Sequence, residues 1–248
     1  MTKKAPFFSI IIPTLNEEKN LPIMLSSIKN QTDKDFEVII ADSQSKDNTK
    51  TRALSFQNDI NLNFFQQPFK NVSSARNFGA KKSSGQFLIF FDADTEIEPN
   101  FIKEIKEKII KNNLDATTVW NRTKSNSFTG RFILWLLNIN MSFFQKIKPA
   151  ANGPCMIIKK TFFEKVAGFD EVIVFGEDFD LIQRLAKQKA KFKVFQKPVF
   201  YVSTRRFEKE GLFLSLYKSI KAILYQLFIG PIKKPIFNYQ MGGQYYKD

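Results

Sequence analysis

Two aspartates one residue apart, Asp92-Ala93-Asp94, follow directly on the wholly apolar run 87–91. Carboxylates beside a buried strand are costly unless water or a cation receives them. Mg2+ and Mn2+ are the hard cations that favour carboxylate and phosphate oxygens; the same string also suits a polar turn. Asp42 likewise follows an apolar run, 36–41, and leads into Ser43-Gln44-Ser45, where turns and helix starts are at home. Arg76, with Asn77 and Gly79 after it, carries the planar guanidinium suited to phosphate oxygens. Glu177 and Asp178 stand ahead of Leu181, Ile182, Leu185 and Ala186, which repeat at helical spacing. One of the two could accept a proton from an attacking hydroxyl, and both also suit a helix's first turn.

The rest of the composition narrows the chemistry. The 248 residues include no histidine and a single cysteine, Cys155. Ser-His-Asp and Cys-His schemes and imidazole-dependent zinc sites are therefore excluded, and acid–base work falls to carboxylates, Lys, Tyr or Cys155. A lone cysteine makes no intramolecular disulfide, which fits a reducing compartment. The formal net charge is +14. Its basic residues are dispersed rather than striped, so solvated lysines or an anionic membrane surface account for it better than a nucleic acid.

These groups need a scaffold that gathers them. The runs 7–12, 36–41, 62–65 and 87–91 read as strands, and they alternate with helical patterns after Asn16-Glu17-Glu18, over 45–57, over 73–82 and beyond Pro99. Fully apolar strands alternating with helices imply a mostly parallel sheet covered on both faces. In such sheets ligands bind beyond the carboxyl ends of the strands. Three of the strands end in Pro13-Thr14, Asp42 and Asp92-Ala93-Asp94, which parallel pairing would bring to one edge. Further on, 128–146 is a long apolar segment, Asn152-Gly153-Pro154 breaks it, and 155–158 is a strand.

The segment 211–230 reads as an amphipathic helix, with Ser215, Lys218, Ser219, Ala222 and Gln226 along one side, and the tail beyond Pro231 as loosely held. Such a basic helix with a wide apolar face suits a membrane interface, a place on the core or a dimer contact. The apolar run 7–12 is too short for a secretory leader, and the longest uncharged stretch, 132–145, is shorter than the roughly 20 residues of a membrane span.

Taken together, Pro13-Thr14-Leu15-Asn16-Glu17, Asp42-Ser43-Gln44-Ser45-Lys46-Asp47-Asn48-Thr49, Ser74-Ala75-Arg76-Asn77-Phe78-Gly79, Asp92-Ala93-Asp94 and Gly176-Glu177-Asp178 resemble the family 2 inverting glycosyltransferases over roughly residues 6–205. The resemblance implies the GT-A fold, an α/β architecture with a Rossmann-like, mostly parallel central sheet and helices on both faces. Here a catalytic domain of 1–205 would be followed by the C-terminal amphipathic helix and tail of 206–248. It also implies a nucleotide-diphospho-sugar donor of UDP or GDP type and a divalent Mn2+ or Mg2+. On the same resemblance Pro13, Thr14, Asn16 and Glu17 line the nucleoside pocket. Asp42 contacts the base, Arg76 lies near the ribose or diphosphate, and Asp92 with Ala93 faces the nucleoside. Asp94, beside Asp92, ligates the metal. Asp178 is the catalytic base with Glu177 in support, and Gly153 belongs to the loop flanking donor sugar and acceptor. The acceptor would be a glycan, glycolipid or polyprenyl phosphate, used at the cytoplasmic face of the cell membrane. A polyprenyl-phosphate sugar transferase and a non-catalytic sugar-nucleotide or nucleic-acid binding module are the alternatives. Two departures stand out: Gln44 replaces the usual glycine after Asp42, and the late histidine is missing, a place that Arg205-Arg206 could fill.

Overall fold

A computed structural model of the chain describes residues 4–69, 71–151, 153–234 and 236, without the side chains of Arg206, Ser219, Ile223, Leu227 and Phe228. The first half builds β1 (Phe8–Thr14), α1 (Leu21–Lys29), β2 (Phe36–Asp42), α2 (Thr49–Leu54), β3 (Leu62–Gln66), α3 (Val72–Lys82), β4 (Phe87–Phe91), β5 (Thr95–Ile97) and α4 (Phe101–Asn112). The second half adds β6 (Ala116–Arg122), α5 (Phe128–Phe144), β7 (Cys155–Lys159), α6 (Lys160–Lys165), α7 (Glu177–Lys187), β8 (Phe192–Val202), α8 (Arg205–Glu210) and α9 (Leu212–Phe228).

The eight strands form one sheet in the order β3-β2-β1-β4-β7-β6-β8-β5. From β3 to β4 all pairings are parallel, as the apolar runs imply. Across β7 the sheet becomes mixed: β7 runs antiparallel to both β4 and β6, β6 is parallel to β8, and β5 returns antiparallel on β8. Alternation along the strands separates two apolar layers. Phe8, Ile10 and Ile12 of β1 face Met24, Leu25 and Ile105 on one side, and Ile11, Leu88 and Phe90 belong with Leu181 and Leu185 on the other. Covered on both faces, the parallel strands read as continuous apolar runs.

One helix boundary differs from the sequence pattern. The helix expected over 45–57 is shortened to α2, because side chains capture its first backbone groups. Ser45 Oγ accepts from Asn16 N (2.8 Å), Asn16 Oδ1 accepts from Lys46 N (2.9 Å), and Asp47 accepts from the backbone of Glu18 and Thr49. Such local bonds compete with a helix. Arg76 stands in the second turn of α3, whose start is a reciprocal capping box between Asn71 and Ser74.

The tail is not loosely held throughout. Ile232 is 0% exposed and pairs with Phe175, and its carbonyl accepts from Val174 N (2.9 Å). Residues 237–248 lie outside the described residues. Among the described residues, no helix is long and apolar enough to cross a membrane.

Candidate active site

The parallel half delivers its strand ends to one rim. Thr14 and Asp42 are register partners across β1 and β2, and Thr14 Oγ1 donates to Asp42 Oδ1 at 2.9 Å. Asp42 is 0% exposed. Its other partners are the Ser45 hydroxyl on Oδ1, and on Oδ2 the Ser45 N–H and Gln66 Nε2, both at 2.9 Å. Four donors fill the four lone-pair positions of a carboxylate. The base-contacting role implied for Asp42 thus falls on a group already occupied, and Asp42 acts on its surroundings by fixing the Thr14 hydroxyl and the Ser45 backbone. Gln44, in the place of the usual glycine, is left-handed at φ 60°, a conformation that disfavours side chains.

Glu17 stands just behind this loop, buried, with its Oε2 accepting from Asn20 Nδ2 at 2.8 Å and its N–H bound to Thr49 Oγ1 at 2.8 Å. Burial raises its carboxyl to about 7; the Asn20 hydrogen bond opposes that shift, and the nearby charges of Asp94, Asp92 and Asp47 add to it. Glu17 and the Asp92-Ala93-Asp94 turn therefore share one electrostatic neighbourhood. Pro13 and Asp92 are half-buried, Ala93 is buried, and Asn16 and Asp94 are exposed. Asp94 opens onto a cavity of about 310 Å3, which is also lined by Asn20, Lys124, Ser203 and Arg205. Neither Asp42 nor Asp178 lines that cavity.

Arg76 joins this rim to the second half. Its guanidinium is nearly enclosed, at 2% exposure, with Nη2 on Asp92 Oδ1 (2.8 Å) and Gly153 O (3.3 Å) and Nη1 on Glu177 Oε1 (2.9 Å). The ring of Phe169 lies 5.3 Å from its Cζ. Burial alone would lower its pKa, but the charges of Asp92 and Glu177 outweigh it and hold the group above its ordinary value. Placed by resemblance beside ribose or diphosphate, Arg76 is instead a buried brace between the aspartate turn and the start of α7. Neighbouring Asn77 pins the 168–171 turn by accepting from Phe169 N and donating to Phe169 O, both at 2.9 Å.

Glu177 and Asp178 form the first turn of α7, entered through Gly176 at φ +77°. Asp178 is half-buried and accepts from its neighbour's N–H, Phe179 N to Oδ1, at 2.8 Å, and from the Gly153 N–H. A Cβ on Gly153 would stand 3.0 Å from Asp178 Oδ2, so the glycine permits this approach. Burial, reinforced by the adjacent Glu177 charge, raises Asp178 to about 7, against the pull of the Phe179 N–H, Arg76 and the Gly153 N–H. A carboxyl near neutrality is poised for proton transfer. Cys155 drops out of the acid–base candidates, since it is fully buried and burial pushes its thiol well up. Asn152 and the Arg206 side chain lie outside the described residues.

Thr14 binds Asp42, Glu17 feels the charges of Asp92 and Asp94, and Arg76 links Asp92 to Glu177, while of Asp42, Asp94 and Asp178 the cavity takes in Asp94 alone; the sequence pattern singles out all of these residues. It misses Phe169, Asn20, Gln66 and Lys124. Lys124 follows β6, whose β-branched run Thr117-Thr118-Val119 is the signal that could have located it. The other three offer no pattern, because each acts through a contact distant in sequence or a single local hydrogen bond.

Comparisons with known proteins bear on the fold and the family. A relative from Escherichia coli, the UDP-Glc:alpha-D-GlcNAc-diphosphoundecaprenol beta-1,3-glucosyltransferase WfgD, is 29% identical over 50% of this chain and 50% of its own. Two other curated relatives, both 26% identical, are spanned to 27% and 62% of their length. Among solved structures, Staphylococcus aureus TarS 1-349 in complex with UDP-GlcNAc superposes with a TM-score of 0.65 at 23% identity, covering 79% of this chain and 58% of that one. The mannosyltransferase PcManGT from Pyrobaculum calidifontis, in complex with GDP-Man and Mn2+, gives 0.69 at 17% identity, covering 88% and 65%. Both share the GT-A fold seen here. Residues 9–166, which hold the whole parallel half, Arg76 and the aspartate turn, match the model of Glycosyl transferase family 2, and the chain belongs to that family.

Proposed function

We propose that the protein transfers a sugar, with inversion, from a nucleotide-diphospho-sugar to a hydroxyl of a lipid-linked glycan at the inner face of the cell membrane. The observation that carries this reading is the placement of Asp178, which accepts the Phe179 and Gly153 N–H groups beside Glu177 at the rim where the strands end, where burial and that neighbouring charge raise its carboxyl. A relative's named donor, UDP-Glc, and its diphosphoundecaprenol-linked acceptor support the choice of substrates. The catalytic unit in this reading is 1–205, with 206–248 as an appendage.

Pro13, Thr14, Asn16, Glu17, Asp92 and Ala93 line the nucleoside site, and Asp42 shapes it through the loop it fixes. Asp94, with Asp92 beside it, would hold a divalent cation. Among the described residues, no three acidic or cysteine side chains cluster to hold a metal. One or two carboxylates completed by phosphate oxygens suit Mg2+ or Mn2+, whose sites are commonly built that way. When bound, such a cation neutralises charge on the leaving diphosphate. Lys124, paired with Glu96 at 2.6 Å, and Arg205 lie on the same cavity as Asp94, together with Glu208. Asp178 takes the proton of the attacking hydroxyl as the acceptor oxygen approaches the sugar from the face opposite the diphosphate. Glu177 keeps the proton affinity of Asp178 high, and Arg76 keeps Glu177 in place.

Thermal melting with UDP-GlcNAc, UDP-Glc and GDP-Man in the presence of Mn2+ tests the donor half. Saturation at 100 times Kd adds about 2.7 kcal/mol, a rise of roughly 5–10 °C for a chain of this size. No rise with any nucleotide sugar would overturn the reading.

A further inference from the structure

Helix α9 turns several apolar side chains outward. Among its described side chains the buried ones are Ser215 and Ala222, Lys218 is tied to Glu210 at 2.7 Å, and Gln226 fills the space beside Gly176. Its outer side presents Phe213, Leu214, Tyr217, Ile220 and Leu224, with Phe213 88% exposed. Helix α5, which packs against both α8 and α9, exposes Phe128, Trp135, Ile139 and Phe143. Phe132 stacks between Phe128 and Trp135, with centroids 5.7 and 6.0 Å away. Each 17-residue helix is about 25 Å long. Apolar stripes of that length, left outside, mark an interaction surface.

The charge within the two segments is of one sign. Neither 128–148 nor 211–236 contains an Asp or Glu. Arg131, Lys146, Lys221, Lys233 and Lys234 of these segments are exposed. An aromatic and aliphatic face whose own segments carry only cations complements an anionic lipid surface, and of the acids on the adjoining α8, Glu210 is neutralised by Lys218. A two-fold contact with a second copy would set this positive rim against itself, which is unfavourable.

The same segment reaches the catalytic rim. Ile232 holds Val174 and Phe175 by backbone pairing, Gln226 abuts Gly176, and the next residues are Glu177 and Asp178. From these observations, and resting on the proposed transfer to a lipid-linked acceptor, we infer that α5 and α9 form one docking face that lies on an anionic bilayer and sets the Asp178 turn at its surface.

Flotation of the full chain with phosphatidylglycerol vesicles and with phosphatidylcholine vesicles tests this, alongside a Phe213→Glu/Tyr217→Glu/Ile220→Glu variant. The expected result is binding to phosphatidylglycerol that weakens at least tenfold in the variant, in neutral vesicles and in 0.5 M salt. In a Trp120→Phe background, Trp135 emission should shift to the blue on vesicle addition, a readout needing no change on either stripe. A chain that stays unbound, a variant that floats as well as the parent, equal binding to neutral lipid, or an unshifted Trp135 would each overturn the inference. So would a dimer in sedimentation that the triple variant splits, because a second copy would then cover the face. Donor-induced melting shifts, measured on the same variant without lipid, separate failure of this surface from failure of the glycosyl-transfer reading: the shifts should persist whether or not the vesicles bind.

Discussion

The loop after β2 and the first turn of α7 both present acidic residues to the rim, and the fold treats them in opposite ways. Asp42 is saturated by Thr14, Ser45 and Gln66. Burial would raise Asp47, but the Thr49 hydroxyl and backbone N–H groups hold it below the ordinary carboxylate value. Asp178, half-buried beside Glu177, is raised instead. The difference teaches that a carboxylate's role is set by its burial, by how many donors surround it and by the sign of its nearest charge. On the β2 side the acids organise backbone; on the α7 side one is left with proton affinity to use. Arg76 spans the two.

Breaking the span should have the largest effect. Arg76→Leu leaves Asp92 and Glu177 without their buried partner, and loss of one member of such a pair costs about 3–5 kcal/mol. Melting is expected to fall by roughly 10 °C; an unchanged melting curve would show that the two sides do not depend on the brace. Next comes Asp178→Asn, which should lower turnover by about 10² or more with donor affinity within about twofold. A near-normal rate would move the base to Glu177 or point to a phosphate acceptor, which needs no base.

The same conservative change on the other side should act on stability. Asp42→Asn puts an NH2 where a donor already points, at a cost of about 1–3 kcal/mol by chemical denaturation. A variant as stable as the parent but weak in nucleotide binding would mean that Asp42 contacts the base directly. The smallest effect is expected at Gln44. Glycine relieves about 1–2 kcal/mol of left-handed strain and returns about 0.5–1 kcal/mol in chain entropy, a net gain of roughly 0.5 kcal/mol. A loss of stability would show that the Gln44 side chain has a stabilising role.

The parallel half was legible because its strands are buried on both faces and so are uninterrupted in apolarity; the sequence run 87–91 and β4 coincide. Strand β8 was not, since it mixes Lys193, Gln196, Lys197 and Pro198 into a half-exposed pattern. Strand β5 is three residues long and carries no pattern. The convergence of Thr14, Asp42 and Asp92 on one edge followed from parallel pairing alone. The buried position of Arg76 did not, because its partners Asp92, Gly153 and Glu177 are 16, 77 and 101 residues away. Nor did the orientation of α9: periodicity shows that a helix has two sides but not which one the core takes.

Folding and activity should respond to pH in opposite directions. A carboxyl raised from 3.8 to about 7 on folding binds its proton more tightly in the native state, so its contribution to stability is lost as pH rises through about 7. Its usefulness as a base grows over that window. The most direct test is the pH dependence of kcat/KM for transfer to a lipid-linked hydroxyl acceptor, for the parent and for Asp178→Asn. The parent is expected to gain about tenfold per pH unit up to an apparent pKa near 7, a limb absent from the variant. The same acid limb in both proteins would contradict the assignment of Asp178 as the base.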